Sequence, residues 1–139
     1  MKERQYIAAG LNMLDVIEIE GKVLPPALGG IPMYGYCGMR LWSDSVEYVA
    51  RVGKDFFGIF DPWFTDNGID PRSLRTVSDK TPYCVMKYDS DMNGIGGYFF
   101  THNWADSDLW RPQPGDFDSC IGPQTKGFYI CSAPQMSPT

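Results

Sequence analysis

Histidine occurs once in the 139 residues, and the four cysteines, Cys37, Cys84, Cys120 and Cys131, include no Cys-x-x-Cys pair. That spacing argues against a zinc site and predicts free thiols in a reducing compartment. No apolar run approaches the length of a membrane span, and the N-terminal MKERQYIAAG has no signal-peptide core. A cytoplasmic chain without a membrane partner is the resulting expectation. Basic residues are outnumbered, 12 Lys and Arg against 17 Asp and Glu, and they are scattered. Nothing in them resembles an electrostatic footprint for nucleic acid. Repeats and low-complexity segments are absent too. What remains is an ordinary globular composition, 43% hydrophobic and 21% charged, in a length that suits one domain with a real core.

The chain is organised around residues 29–58, GGIPMYGYCGMRLWSDSVEYVARVGKDFFG. Gly29 and Gly30 turn into a helix with Pro32 in its first turn, where a missing N–H costs nothing. Met33, Cys37 and Leu41 are predicted to fall on one helical stripe, with Tyr34 and Gly38 beside it. Residues 46–52 then read as a strand, with Val46, Tyr48, Ala50 and Val52 on one face. Asp55 is predicted to cap a second helix from Phe56, which Pro62 breaks or restarts with Asp61 as a cap, and Gly68 ends it. Glycine turn, helix, strand, glycine turn, helix is one step of a parallel α/β protein.

Ahead of this step, Tyr6–Gly10 (YIAAG) reads as a buried parallel strand. Residues 14–20 read as a strand with mixed faces, followed by an extended approach through Pro25 and Pro26. Behind it, Tyr83–Tyr88 and residues 97–102 read as a hairpin, apolar on both faces, joined by DSDMNGIGG. A sheet greasy on both sides covers a site or another subunit. Residues 104–110 suggest a helical turn, 111–117 a loop, and 127–132 a buried strand.

Several motifs invite chemistry. Asp89, Asp91, Asn93 and Gly94 match the opening of a calcium loop, but the twelfth position is Phe100, which cannot supply the closing carboxylate. A polar hairpin tip is the better reading. Gly53-x-Asp55-x-x-Gly58 lacks both the P-loop lysine and the dinucleotide spacing, and reads as a structural turn. Asp15 interrupts an apolar stretch soon after Gly10. A carboxylate there can accept substrate hydroxyls, or it can be an edge-strand aspartate facing water.

Asp15, Gly29-Gly30, Val52-Gly53-Lys54-Asp55 and Phe57-Gly58, in this order, resemble the N-terminal signature of the ribokinase-like (PfkB-type) carbohydrate kinases. The resemblance runs from about residue 6 to residue 132. It implies an α/β fold, a three-layer ribokinase-like parallel sheet with a small antiparallel β lid, incomplete at the C-terminus. One unit over 1–139 is expected, with lid strands at about 14–28 and 81–103. It makes Asp15 the substrate-binding aspartate, with Gly29 and Gly30 letting a sugar lie against main chain. Phe99 and Thr101 would reach down from the lid. Tyr34 stands where the family has asparagine, and a phenol can donate one hydrogen bond and stack on a ring.

The resemblance also implies ATP and Mg2+ as cofactors, a sugar as partner, and a homodimer through the lid. The family's Gly-Ala-Gly-Asp run, which cradles the phosphoryl group and supplies the base, does not occur here. The expectation is therefore the substrate-binding portion of a longer sugar kinase, inactive alone. The alternative is a stand-alone, non-catalytic interaction protein on the same fold.

Overall fold

Strand β1, Tyr6–Gly10, is the hub of a parallel sheet. It pairs with β5 (Val46–Gly53) on one side and β9 (Gly127–Cys131) on the other, and β6 (Leu74–Ser78) extends the sheet beyond β5, giving the order β6-β5-β1-β9. The computed structural model describes residues 4–100 and 107–131.

Side chains alternate across the pleat, so β1 and β5 each serve two cores. Ala8, Val46, Tyr48, Ala50 and Val52 face two helices, α1 (Ile31–Arg40) and α2 (Asp55–Asp66). Phe56, Phe60 and Phe64 of α2 fill that side, with Phe56 to Phe60 ring centroids 4.9 Å apart. Ile7, Ala9, Val49 and Cys120 face the other way. That side is covered among the described residues by a short helix α3 (Ser107–Trp110), a 3-10 turn at Pro114–Asp116 and the loop around Phe117. All four cysteines are free.

Three local expectations need correction. The buried stripe of α1 is Pro32, Met33 and Tyr36, while Leu41 caps the helix and is exposed. Met33 and Tyr36 keep helical spacing, and the ring of Tyr36 reaches Tyr48 on β5, 5.5 Å away. Helix α2 begins at Asp55 itself, with Lys54 at the cap position and no side-chain cap, because the Asp55 carboxylate is taken up by Thr81. Nor does Pro62 break α2. The carbonyl it frees belongs to Gly58, one turn back, and both residues lie on the solvent face where water can satisfy it. Gly68, at φ 61°, ends the helix as expected.

The remaining strands form a second sheet: β2 (Met13–Ile19), β3 (Lys22–Val23), β4 (Ala27–Gly29), β7 (Tyr83–Tyr88) and β8 (Gly94–Phe100). Its pairs are antiparallel except β2 with β7, which run parallel. The β7–β8 tip is the polar hairpin expected, with Asp89 Oδ1 accepting from the backbone N–H of Asp91 and Asn93. Strand β9 was expected to be buried. It is instead an edge strand, with no strand paired to its outer side among the described residues, and Phe128 and Ile130 are exposed on its face.

A charge clamp ties the 107–117 segment to the sheet. Arg51 Nε donates to Asp116 Oδ2 at 2.7 Å, the backbone N–H of Gln113 donates to the same oxygen, and Arg51 Nη1 reaches the Leu109 carbonyl. Burial raises the Asp116 pKa, but the Arg51 and Gln113 hydrogen bonds outweigh it and hold the carboxyl below its ordinary value. A depressed folded-state pKa stabilises the fold above the unfolded value and is lost as pH falls through the folded one. Asp116→Asn should therefore lower the melting temperature at pH 7, and the gap from the parent should close as pH falls below about 4. Thermal scans from pH 7 to pH 2.5 test this, and a gap independent of pH would refute it.

Candidate functional site

The chain leaves β1 through Gly10 and Leu11, crosses at Asn12 into β2, and returns through β4 to the Gly29-Gly30 turn that opens α1. Four of the six residues singled out from sequence, Asp15, Gly29, Gly30 and Tyr34, meet on this circuit.

Asp15 lies mid-β2 between Ala27 of β4 and Cys84 of β7. Gly29 abuts it so closely that a β-carbon there would overlap the carboxylate. Gly30 adopts φ 88°, ψ 133°, a conformation that favours glycine, and a β-carbon would press on the Leu11 carbonyl at 2.9 Å. Tyr34, one helical turn further, is 61% exposed, and its hydroxyl lies 3.4 Å from both Asp15 Oδ2 and the Leu28 carbonyl. A phenol has one proton, so it donates to one of them at a time.

Phe99 is in the same cross-strand row, opposite Cys84 and so two strands from Asp15. Thr101 lies outside the described residues.

The electrostatics of Asp15 are informative. Among the described residues no cation pairs with it, and Tyr34 is its side-chain hydrogen-bond donor. Burial raises its pKa and the Tyr34 hydrogen bond only partly offsets this. Burial, and after it the same pairing, raises the Tyr34 pKa. A half-buried carboxylate without a cation is set to accept neutral hydroxyl donors, the bonds of which are strengthened by its charge.

Sequence reading overlooked Asn12. It is fully buried, its Oδ1 accepts the Tyr48 hydroxyl proton at 2.7 Å, and its Nδ2 has no hydrogen-bond partner among the described residues. The available signal was a lone amide between apolar Leu11 and Met13, just before Asp15. A separate apolar cavity of about 250 Å3 sits at the carboxyl ends of β1 and β9, lined by Gly10, Leu11, Arg111, Phe117, Ile130 and Cys131 among others. Ligands of open parallel sheets bind at such ends. Asp15 and Tyr34 do not line it, so the carboxylate cluster and the cavity are neighbours through Leu11 rather than one chamber.

Among the described residues no three His, Cys, Asp or Glu side chains gather as a metal site. The Pro114-Gly115-Asp116 string forms a 3-10 turn with its aspartate committed to Arg51. No nucleotide step is assigned to this chain. Among the described residues no helix is long and apolar enough to cross a membrane.

No protein-family model and no curated protein matches the sequence. Solved structures do match the fold. A microbiome-derived acarbose kinase aligns with a TM-score of 0.68 and 13% identity over 93% of this chain and 46% of its own. A nucleoside kinase from Methanocaldococcus jannaschii, described as an archaeal member of the ribokinase family, aligns at 0.64 and 18% identity over 93% of this chain and 45% of its own. Fructokinase from Vibrio cholerae aligns at 0.57 and 22% identity, over 73% and 35%. The chain thus has a ribokinase-like α/β fold and spans less than half the length of these neighbours.

Proposed function

We propose that this chain is the substrate-binding portion and lid of an ATP-dependent kinase for a sugar or sugar-like alcohol, with the phosphoryl-transfer machinery supplied from outside it. The observation that carries the reading is Asp15, a half-buried carboxylate without a cation, set against a glycine turn and an exposed phenol. Two neighbouring hydroxyls of a sugar can each donate to such a group, and the missing side chain at Gly29 leaves room for it beside the main chain. The second sheet, which carries Asp15, is the lid. Phe99 and Thr101 are kept as proposed substrate contacts of the lid. The fold shared with structures named as acarbose, nucleoside and fructose kinases supports the class.

The test uses the full-length protein that carries this chain, titrated calorimetrically with fructose, inosine and acarbose, with Mg-ATP turnover followed as ADP formation. Asp15→Asn should weaken the tightest of these ligands tenfold or more, since a hydrogen bond to a charged group is worth about 1.5–3 kcal/mol. Its effect on stability should have the opposite sign. A carboxyl with a raised folded pKa costs stability that is absent below its unfolded pKa and appears as pH rises through the folded one. Asp15→Asn should therefore melt higher than the parent at pH 7 and level with it near pH 3. Unchanged affinity would return Asp15 to the role of a solvent-facing edge residue.

The alternative, a non-catalytic interaction protein, draws on the exposed Phe128 and Ile130 of β9. Failure of all the sugars to bind, with no ADP formed, would favour it. A homodimer through the lid belongs to the kinase proposal. Val85 is buried within the chain, so the lid side chains free to meet a partner include Val23, Met92 and Ile95. Sedimentation of an Ile95→Lys variant should show the monomer.

A further inference from the structure

The two sheets are joined by few crossings, and two of them converge on one strand. At the first, between β1 and β2, Asn12 is held by the hydroxyl of Tyr48 on β5. At the second, between β6 and β7, Thr81 is held where the same strand ends at Gly53 and α2 begins at Asp55. Its Oγ1 accepts from the Gly53 backbone N–H at 2.9 Å and donates to Asp55 Oδ1 at 2.8 Å, and its own N–H donates to that oxygen at 2.9 Å. Gly53 has to be glycine here, since a β-carbon would run into the backbone of Lys80 and Thr81. Asn12 and Thr81 are 0% and 3% exposed, so neither contact is diluted by water. Just beyond, the Leu14 N–H donates to the Pro82 carbonyl at 2.9 Å, tying the crossings to each other.

We propose that β5 is the common anchor of the second sheet, with Asn12 and Thr81 as positioning residues that set its angle to the parallel sheet. That angle decides where Asp15, on the second sheet, stands relative to Tyr34, on α1 of the first. Among the described residues neither side chain is hydrogen-bonded to Asp15 or Tyr34; each acts through the strand that follows it. The motif Gly53-x-Asp55 thereby acquires a purpose that helix capping would not give it. It is a socket for one threonine. The consequence for substrate rests on the sugar-kinase reading, but the mechanical claim does not.

Amide hydrogen exchange on the ligand-free full-length protein tests the mechanical claim. Thr81→Val keeps the shape and removes the hydroxyl. It should speed exchange in Met13–Ile19 and Tyr83–Tyr88 by about tenfold while Tyr6–Gly10 and Val46–Gly53 keep parental rates, as expected for sub-global opening. Thr81→Ser should restore the parental pattern. Tyr48→Phe, which leaves the ring in the core, should reproduce the effect through the other crossing and keeps the test open if Thr81→Val does not fold. Equal acceleration in both sheets, or none in either, would overturn the proposal. With a bound sugar from the titrations above, both variants should raise KM several-fold more than they change kcat. A selective exchange effect in a protein that binds no sugar would retain the anchor and remove the kinase reading.

Discussion

Glu47→Gln should destabilise the protein by about 3 kcal/mol, at the low end of what breaking a buried ion pair costs. The carboxylate is 2% exposed on β5 and accepts from Arg4 Nε at 2.9 Å and Arg72 Nη2 at 3.0 Å. Both guanidinium groups donate to the same oxygen, Oε2, so glutamine keeps the volume and an acceptor there but removes the negative charge and leaves two part-buried cations without their counter-charge. Those arginines are 18% and 28% exposed, so water recovers part of the loss and the upper range of about 5 kcal/mol is not expected. Even so, about 3 kcal/mol is a large share of the 5–15 kcal/mol typical of a domain. Arg4→Gln should cost less, because Arg72 still neutralises Glu47. Urea titrations of the three proteins check both the size and the order, and a Glu47→Gln shift below about 1 kcal/mol would show that the cluster is a solvated surface pair.

Gly29→Ala should be the most damaging single change at the candidate site. The new methyl would occupy the Asp15 carboxylate position, and because Gly29 is paired in β4 to Met13 of β2, its backbone cannot yield. Asp15 must swing away and lose its geometry towards any pair of hydroxyls. Two charge-assisted hydrogen bonds at about 1.5 kcal/mol or more apiece make roughly a hundredfold loss of affinity. The contrast is Gly38→Ala on α1, where a β-carbon meets nothing within 4 Å. There an alanine should raise stability by up to about 1 kcal/mol through helix propensity and leave binding alone. Equal affinities for the two variants would mean that Asp15 does not receive the substrate.

Much of the fold was written locally. The five apolar residues of β1, the alternation of Val46, Tyr48, Ala50 and Val52, and the glycine that ends α2 follow from period and turn chemistry. Each depends on neighbours in sequence, so each could be read there. The convergence of Asp15 with Gly29, Gly30 and Tyr34 was legible only through their order, which resembles a known signature. Their contact depends on β2 and β4 pairing antiparallel so that Asp15 faces Ala27 beside Gly29.

Where the reading failed, a distant partner had overruled a local preference. Asp55 has the residue type of a cap, yet Thr81, 26 positions away, claims its carboxylate. Leu41 continues an apolar spacing, but α1 stops at Arg40 and the buried ring is that of Tyr36, which meets Tyr48. Sequence alone thus determined β1, α1, β5, α2 and the glycine turns between them, because those are set by backbone sterics within a few residues, while β6 (Leu74–Ser78) went unread. Only the tertiary structure decided that β2 runs parallel to β7, that Glu47 is sealed between two arginines, and that Asn12 and Thr81 hang from one strand. Long-range pairing and the burial of polar groups are properties of the assembled sheets, and no window of sequence contains both partners.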